Sequence, residues 1–207
     1  MEQNWATTVS GYNLFDVASA FQKSIRRCLE EEAMFWAIEL YESGKVEYAW
    51  QRMIVMVSED VGLAEPNGVQ IMLSLKQSYD YMKAKNNKHK PEKLPFTHAV
   101  IWLARCRKSR YIDMALFEYW FNHSTCKIEV PDWAYDMHTR KGKQKGRGID
   151  HFYEEGAKIN NSGNIPGEAE MYARAMKTEK ILEENPDAML NPANIQIGPN
   201  GETKMNL

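Results

Sequence analysis

Between Asn13 and about residue 123 the apolar side chains recur at helical spacing. No stretch there alternates with the period of two that a half-buried strand requires. That pattern excludes a sheet-centred domain and leaves helices that bury one face against each other. Asn13 or Asp16 caps a first helix that runs to Arg27. A second carries Leu29, Ala33, Trp36, Ala37, Leu40 and Tyr41 on one face and stops at Gly44. A third bears Val46, Ala49, Trp50, Met53, Ile54 and Val57 and ends near Gly62. Pro66 fits the first turn of a fourth, with Val69, Met72, Leu73, Lys76 and Tyr79, because an amide at that position has no intrahelical partner to lose. Lys83 to Lys93 reads as a loop with five lysines. Two further helices follow, one with His98, Ile101, Trp102 and Arg105, the other with Met114, Phe117, Glu118 and Phe121. His98, in an apolar setting, reads as a core or interface histidine. Short connections between amphipathic helices predict an all-α fold, a compact antiparallel bundle or array.

Beyond Pro131 the pattern loosens. Trp133 to Thr139 is predicted as a short helix, followed by a glycine-rich basic loop and a second short helix from Ile149 to Lys158. Asn160 to Gly167 is a linker, and Glu168 to Glu184 a polar helix. The remaining residues read as a loosely held tail whose Met189, Leu190 and Ile195 are available to a partner subunit. The expected organisation is a helical oligomerisation domain over 1–160, then linker, polar helix and tail over 161–207. Three widely spaced cysteines without a C-x-x-C fit neither a disulfide framework nor a zinc knuckle, and suit a reducing cytoplasm. No apolar run reaches membrane-spanning length and no signal-peptide core is visible, so a cytoplasmic protein without membrane contact is expected.

The formal charge of −2 hides segregation. Residues 1–82 sum to −6, residues 83–147 to +9 and residues 148–207 to −5. The densest part of the basic block is Arg140, Lys141, Lys143, Lys145 and Arg147, interrupted by Gly142, Gly146 and Gly148. Glycine weakens helices by roughly 1 kcal/mol each and lets backbone amides approach an anion, so this segment suits a phosphate or another polyanion. With Lys83, Lys85, Lys88, Lys90, Arg105, Arg107, Lys108 and Arg110 it makes a candidate nucleic-acid surface. The same charge also suits an oligomer that pairs basic with acidic faces.

Familiar catalytic signatures are missing: there is no P-loop, H-E-x-x-H, G-x-S-x-G or dinucleotide-binding glycine motif. An ATPase is excluded on that ground, and neither cofactor nor catalysis is expected. Two constellations remain as a candidate functional cluster. Asp136, His138, His151 and Glu155, beside Gly146 and Gly148, form a His/carboxylate set of the kind that holds a divalent metal, against the plainer reading of local hydrogen bonds. Ser58, Glu59 and Asp60 stand at a helix C-terminus, where the helix dipole disfavours carboxylates. Their placement predicts a cationic partner, an arginine of the basic block, in a structural salt bridge.

S-E-D-V-G-L-A-E-P (Ser58–Pro66) resembles a motif in the C-terminal region of the replication-associated recombination protein A family, clamp-loader-like AAA ATPases whose eukaryotic relatives bind the Werner helicase. F-Q-K-S-I-R (Phe21–Arg26), A-M-F-W-A-I-E-L-Y-E-S-G (Ala33–Gly44) and A-V-I-W-L-A-R-C-R-K-S-R (Ala99–Arg110) are similar to elements of that region in the same order. Val130-Pro131 and the glycine-rich stretch ending in His151 fall in place after them. The resemblance covers roughly residues 14–155 and implies an all-helical, self-associating module, a tetramer or dimer. About a dozen residues precede the first matching helix, so a stand-alone module without its own ATP site is expected. The implied function is a non-catalytic scaffold of DNA replication, repair or recombination that contacts DNA through the basic block. The alternatives are a protein-only adaptor that co-assembles with a full-length AAA ATPase, and a metal-dependent enzyme built on residues 136–155.

Overall fold

The computed structural model describes residues 6–184, 195–197 and 203–205. Its contacts divide the chain into two units, Met1–Lys127 and Ile128–Leu207.

The first unit holds six α-helices: α1 Leu14–Arg26, α2 Glu30–Glu42, α3 Val46–Met56, α4 Gly68–Ala84, α5 Lys93–Arg105 and α6 Tyr111–Thr125. Asn13 is the cap of α1, its Oδ1 accepting from the amides of Phe15 at 2.9 Å and Asp16 at 3.3 Å. Asp16 sits in the first turn, where its charge favours the helix N-terminus. Gly44, at φ +71°, ends α2. The amide of Lys45 then reaches back to the Leu40 carbonyl, the reversal that a left-handed residue after a helix permits.

Helical periodicity becomes a core where Phe21 and Ile25 of α1, Ala33, Ala37 and Leu40 of α2, and Ala99, Val100 and Leu103 of α5 are sealed from water. Trp50 of α3 meets Tyr79 of α4 at 5.4 Å and Phe96 of α5 at 5.7 Å between ring centroids, joining three helices. Rings packed edge-on or tilted in this way add about 1 kcal/mol per pair to the area they bury.

Several expectations are corrected. Pro66 lies in the turn before α4, which starts at Gly68. A Cβ at Gly68 would come within 3.0 Å of Val57 and 3.1 Å of Trp102, so a glycine at the helix start allows the close approach. Lys83 and Lys93 belong to helices, which shortens the lysine loop to residues 85–92. His98 is exposed, which removes the core half of its expected core-or-interface placement. After Met56, α3 widens into a π-helical turn, Val57–Val61, which turns Val57, Asp60 and Val61 inward before Gly62, at φ +48°, breaks the helix.

In the second unit a 3-10 turn, Asp132–Ala134, replaces the helix expected over 133–139. The Arg147 guanidinium occupies the carbonyls of Asp132 at 2.6 Å and Tyr135 at 2.7 Å, acceptors that a continuing helix would need. The basic segment is not wholly a loop, since Arg140–Gln144 forms a short helix, α7, capped by Thr139. Ile149–His151 (α8) runs into a second π-helical turn, Phe152–Gly156, and Glu168–Glu184 is α9. Tyr153 donates its hydroxyl to Glu179, Tyr172 donates to the Tyr153 carbonyl at 3.0 Å, and Lys180 pairs with Asp150 at 2.8 Å. These bonds join residues on either side of position 160 within the second unit. A two-stranded antiparallel hairpin, β1 Ile195–Ile197 and β2 Thr203–Met205, adds a small sheet to the all-α fold. Met189 and Leu190 lie outside the described residues.

The cap assignment is testable in urea. Asn13→Ala should lower the unfolding free energy by about 1 kcal/mol with an unchanged m-value. Asp16→Ala should cost less than about half of that. The reverse order would reassign the cap.

Candidate functional site

Asp60 is 1% exposed, yet it carries no apolar neighbour's logic. Its Oδ1 accepts from Arg26 Nε at 2.5 Å and its Oδ2 from Gln22 Nε2 at 3.1 Å. Glu59 beside it takes Arg26 Nη2 at 2.5 Å and Gln22 Nε2 at 3.0 Å, while Arg52 donates to Gln22 Oε1. Arg110 approaches Glu59 at 3.7 Å and Asp60 at 4.0 Å, and the Ser109 amide donates to the Asp60 carbonyl at 2.9 Å. The predicted salt bridge is therefore present, but its main arginine is Arg26 of the acidic N-terminal segment, with Arg110 of the basic block further off. The sequence does not mark Gln22, Arg26 or Arg52 as polar core partners, because nothing local to their helices signals one. Ser58 is exposed and lines a groove of about 410 Å³ with Ile54, Val55, Glu59, Ile112 and Leu116.

α6 forms the other side of that groove, and none of its residues is buried. Phe117 is 74% and Trp120 77% exposed, and Met114, Leu116, Tyr119 and Phe121 are exposed beside them. A helix apolar on every side normally lies inside a protein. The legible signal was the composition of 111–121 itself.

Much of the basic block is occupied within the chain. Lys83 pairs with Glu47 at 3.1 Å and Arg107 with Glu65 at 2.9 Å, Arg105 with Glu30, and Arg110 with Asp113. Lys85 lies over the Tyr81 ring and Lys141 over the Tyr135 ring. Lys108 is turned onto the Cys106 carbonyl at 2.7 Å. Lys145 and Arg147 both grip Asp132, whose carboxyl these hydrogen bonds lower to about 2. Among the described residues, Lys88, Lys90, Arg140 and Lys143 are exposed with no ion pair.

The glycines serve the turn rather than freeing amides for an anion. The Gly142 amide donates to Thr139 Oγ1 at 3.0 Å, and a Cβ on Gly142 would overlap the Asp136 carbonyl. Gly146, at φ +70°, ends α7, its amide on the Lys143 carbonyl and that of Arg147 on the Gly142 carbonyl. Gly148 is extended and starts α8. Asp136 Oδ1 accepts from the His138 amide at 2.9 Å, and the His138 ring stands edge-on to Phe152 at 5.1 Å. His151 is half-buried, with Nδ1 enclosed and unpaired, and Glu155 is exposed. Among the described residues no three of His, Cys, Asp and Glu come together as a metal would require, so the set around 136–155 is not assembled for that chemistry. No helix among those residues is long and apolar enough to cross a membrane.

Residues 30–186 match the family described as MgsA AAA+ ATPase C terminal. Replication-associated recombination protein A of Bacillus subtilis (strain 168) is 34% identical over 141 residues, covering 67% of this chain and 32% of that protein. The protein of the same name from Coxiella burnetii is 28% identical over 151 residues, 69% of this chain and 32% of the relative. The Dictyostelium discoideum ATPase WRNIP1 is 27% identical over 154 residues, 69% of this chain and 16% of the relative. The chain thus spans about a third or less of the length of these curated relatives.

Asp60→Ala removes the acceptor for Arg26 and Gln22 inside the core. It should cost about 3 kcal/mol in chemical denaturation, the low end for a broken buried pair because Arg26 is partly hydrated. A loss under about 1 kcal/mol would make the network incidental. Asp132 supplies a pH test. Its carboxyl is held below the usual 3.8, so the stability from its two cationic partners is present above pH ~4 and fades as pH falls towards about 2. Carboxyl-carbon NMR should place its midpoint near 2, and Lys145→Gln with Arg147→Gln should return it towards 3.8.

Proposed function

The chain belongs to the MgsA AAA+ ATPase C-terminal family, and from that premise we propose that it is a non-catalytic, self-associating scaffold in DNA replication, repair and recombination. The observation that carries this reading is α6, an aromatic helix with no buried residue. Each large aromatic side chain buries roughly 150–250 Å² when covered, and Phe117, Trp120 and Phe121 share one side of the helix, so together they supply more than half of the ~800 Å² per partner of a stable interface. The groove beside α6, walled by Ile54, Val55 and Ile112, offers a recess next to that ridge. Ridge and recess on one surface are what a symmetric contact between identical subunits requires.

The relatives carry replication-associated recombination and ATPase in their names. In this reading the chain forms a tetramer or dimer of its own or takes a place in a mixed assembly. Contact with DNA is a second reading, favoured in the first unit by Lys88 and Lys90 and, separately, in the second unit by Arg140 and Lys143, all exposed without an ion pair among the described residues. Each pair is far smaller than the +9 block.

Light scattering on the purified chain should give a multimer. Phe117→Glu with Trp120→Glu should reduce it to monomer while helical circular dichroism persists. An unchanged mass would remove α6 from the interface, and a monomeric wild-type protein would remove self-association. For DNA, fluorescence anisotropy over a salt series separates the readings. Replacing Lys88 and Lys90 by glutamine, or separately Arg140 and Lys143, should weaken binding and reduce the salt slope by roughly two units in each case, near one per phosphate contact. Equal affinity of a variant and the wild type would assign no DNA contact to the pair replaced.

A further inference from the structure

One cation of the basic block has a different environment from its neighbours. Arg105, Arg107 and Arg110 each take a carboxylate, whereas among the described residues Lys108 takes none. Its ammonium is fixed at the end of α5 by the carbonyls of Cys106 at 2.7 Å and Ala104 at 3.3 Å, where helix carbonyls favour a cation. From there it reaches two sulfurs, Cys106 Sγ at 3.7 Å and Cys28 Sγ at 3.8 Å. Cys28 is exposed and lies between α1 and α2 at φ +57°, a conformation that helix ends usually give to glycine or asparagine. Cys106 is half-buried at the end of α5, and burial pushes its thiol up while Lys108 opposes that shift. A thiolate is stabilised, and made reactive, by an adjacent ammonium.

We propose that Cys28, Cys106 and Lys108 form a peroxide-responsive thiol pair, with exposed Cys28 as the attacking sulfur and Cys106 as the resolving one. The Cys28 thiolate attacks hydrogen peroxide. An S–O bond forms, the O–O bond breaks, and the departing hydroxide takes a proton to become water. The Cys106 thiolate then attacks the Cys28 sulfur. An S–S bond forms, the S–O bond breaks, and a second hydroxide leaves as water. Two thiols are oxidised and one peroxide is reduced to two waters. Lys108 offsets the negative charge on sulfur in both steps and swings aside as the bridge closes. The bridge ties the chain after α1 to the end of α5, beside the Arg105–Glu30 pair that already joins the ends of α5 and α2.

The test treats the reduced full chain with hydrogen peroxide, quenches with an alkylating reagent, and reads intact mass and non-reducing peptide maps. The expected product carries a single alkyl group, on exposed Cys126, and is otherwise two hydrogens lighter than the reduced chain, with Cys28 joined to Cys106. Cys106→Ser should stop at a sulfenic acid on Cys28, captured by dimedone. Lys108→Met should slow bridging severalfold, because the ammonium beside both sulfurs is gone, and Lys108→Arg should restore most of the rate. Circular dichroism confirms that the variants fold. Cross-links through Cys126, a Cys28 oxide that leaves Cys106 free, or a Lys108→Met rate equal to the wild type would each overturn the proposal.

Discussion

A buried carboxylate without partners costs several kcal/mol, and the position of Asp60 makes that cost the organising constraint of the first unit. Its acceptors are satisfied only when α1 lies where Gln22 and Arg26 reach it and when the segment before α6 brings Ser109 and Arg110 alongside. Hydrophobic burial holds the same helices together, but it is non-directional and tolerates sliding. The hydrogen bonds on Asp60 and Glu59 do not. The π-helical turn that presents both carboxylates also aims Val57 and Val61 at the core, so one backbone irregularity serves packing and polar pairing together.

From that fixed junction α6 projects with its aromatic residues uncovered. Arg110 pairs with Asp113 in the first turn of α6 and faces Glu59 and Asp60 behind it, so the origin of the helix is anchored by the network. The exposed helix is thereby tied at its first turn to the carboxylate network.

The basic block shows how linear charge misleads. A net +9 over residues 83–147 reads as one surface. In three dimensions Glu30, Glu47 and Glu65, distant in sequence, come beside Arg105, Lys83 and Arg107, and Asp132 binds two cations at once. Glycine was misread for a similar reason. Gly142 and Gly146 were legible as backbone permissiveness, but their amides close a turn around Asp136 and α7 rather than wait for an anion.

Helix existence, a cap at Asn13 or Asp16, the Gly44 stop and the polar helix over 168–184 were determined by the sequence alone, because each depends on residues within one or two turns. Family resemblance was legible too, through the spacing and order of short motifs. Tertiary structure alone decided that Asp60 bonds to Arg26, that His138 packs on Phe152 instead of joining a metal cage, and that Lys108 sits between two cysteines. Those outcomes depend on which helix faces meet across dozens of residues. Local propensity carries no record of such meetings, which the packing of the whole core selects.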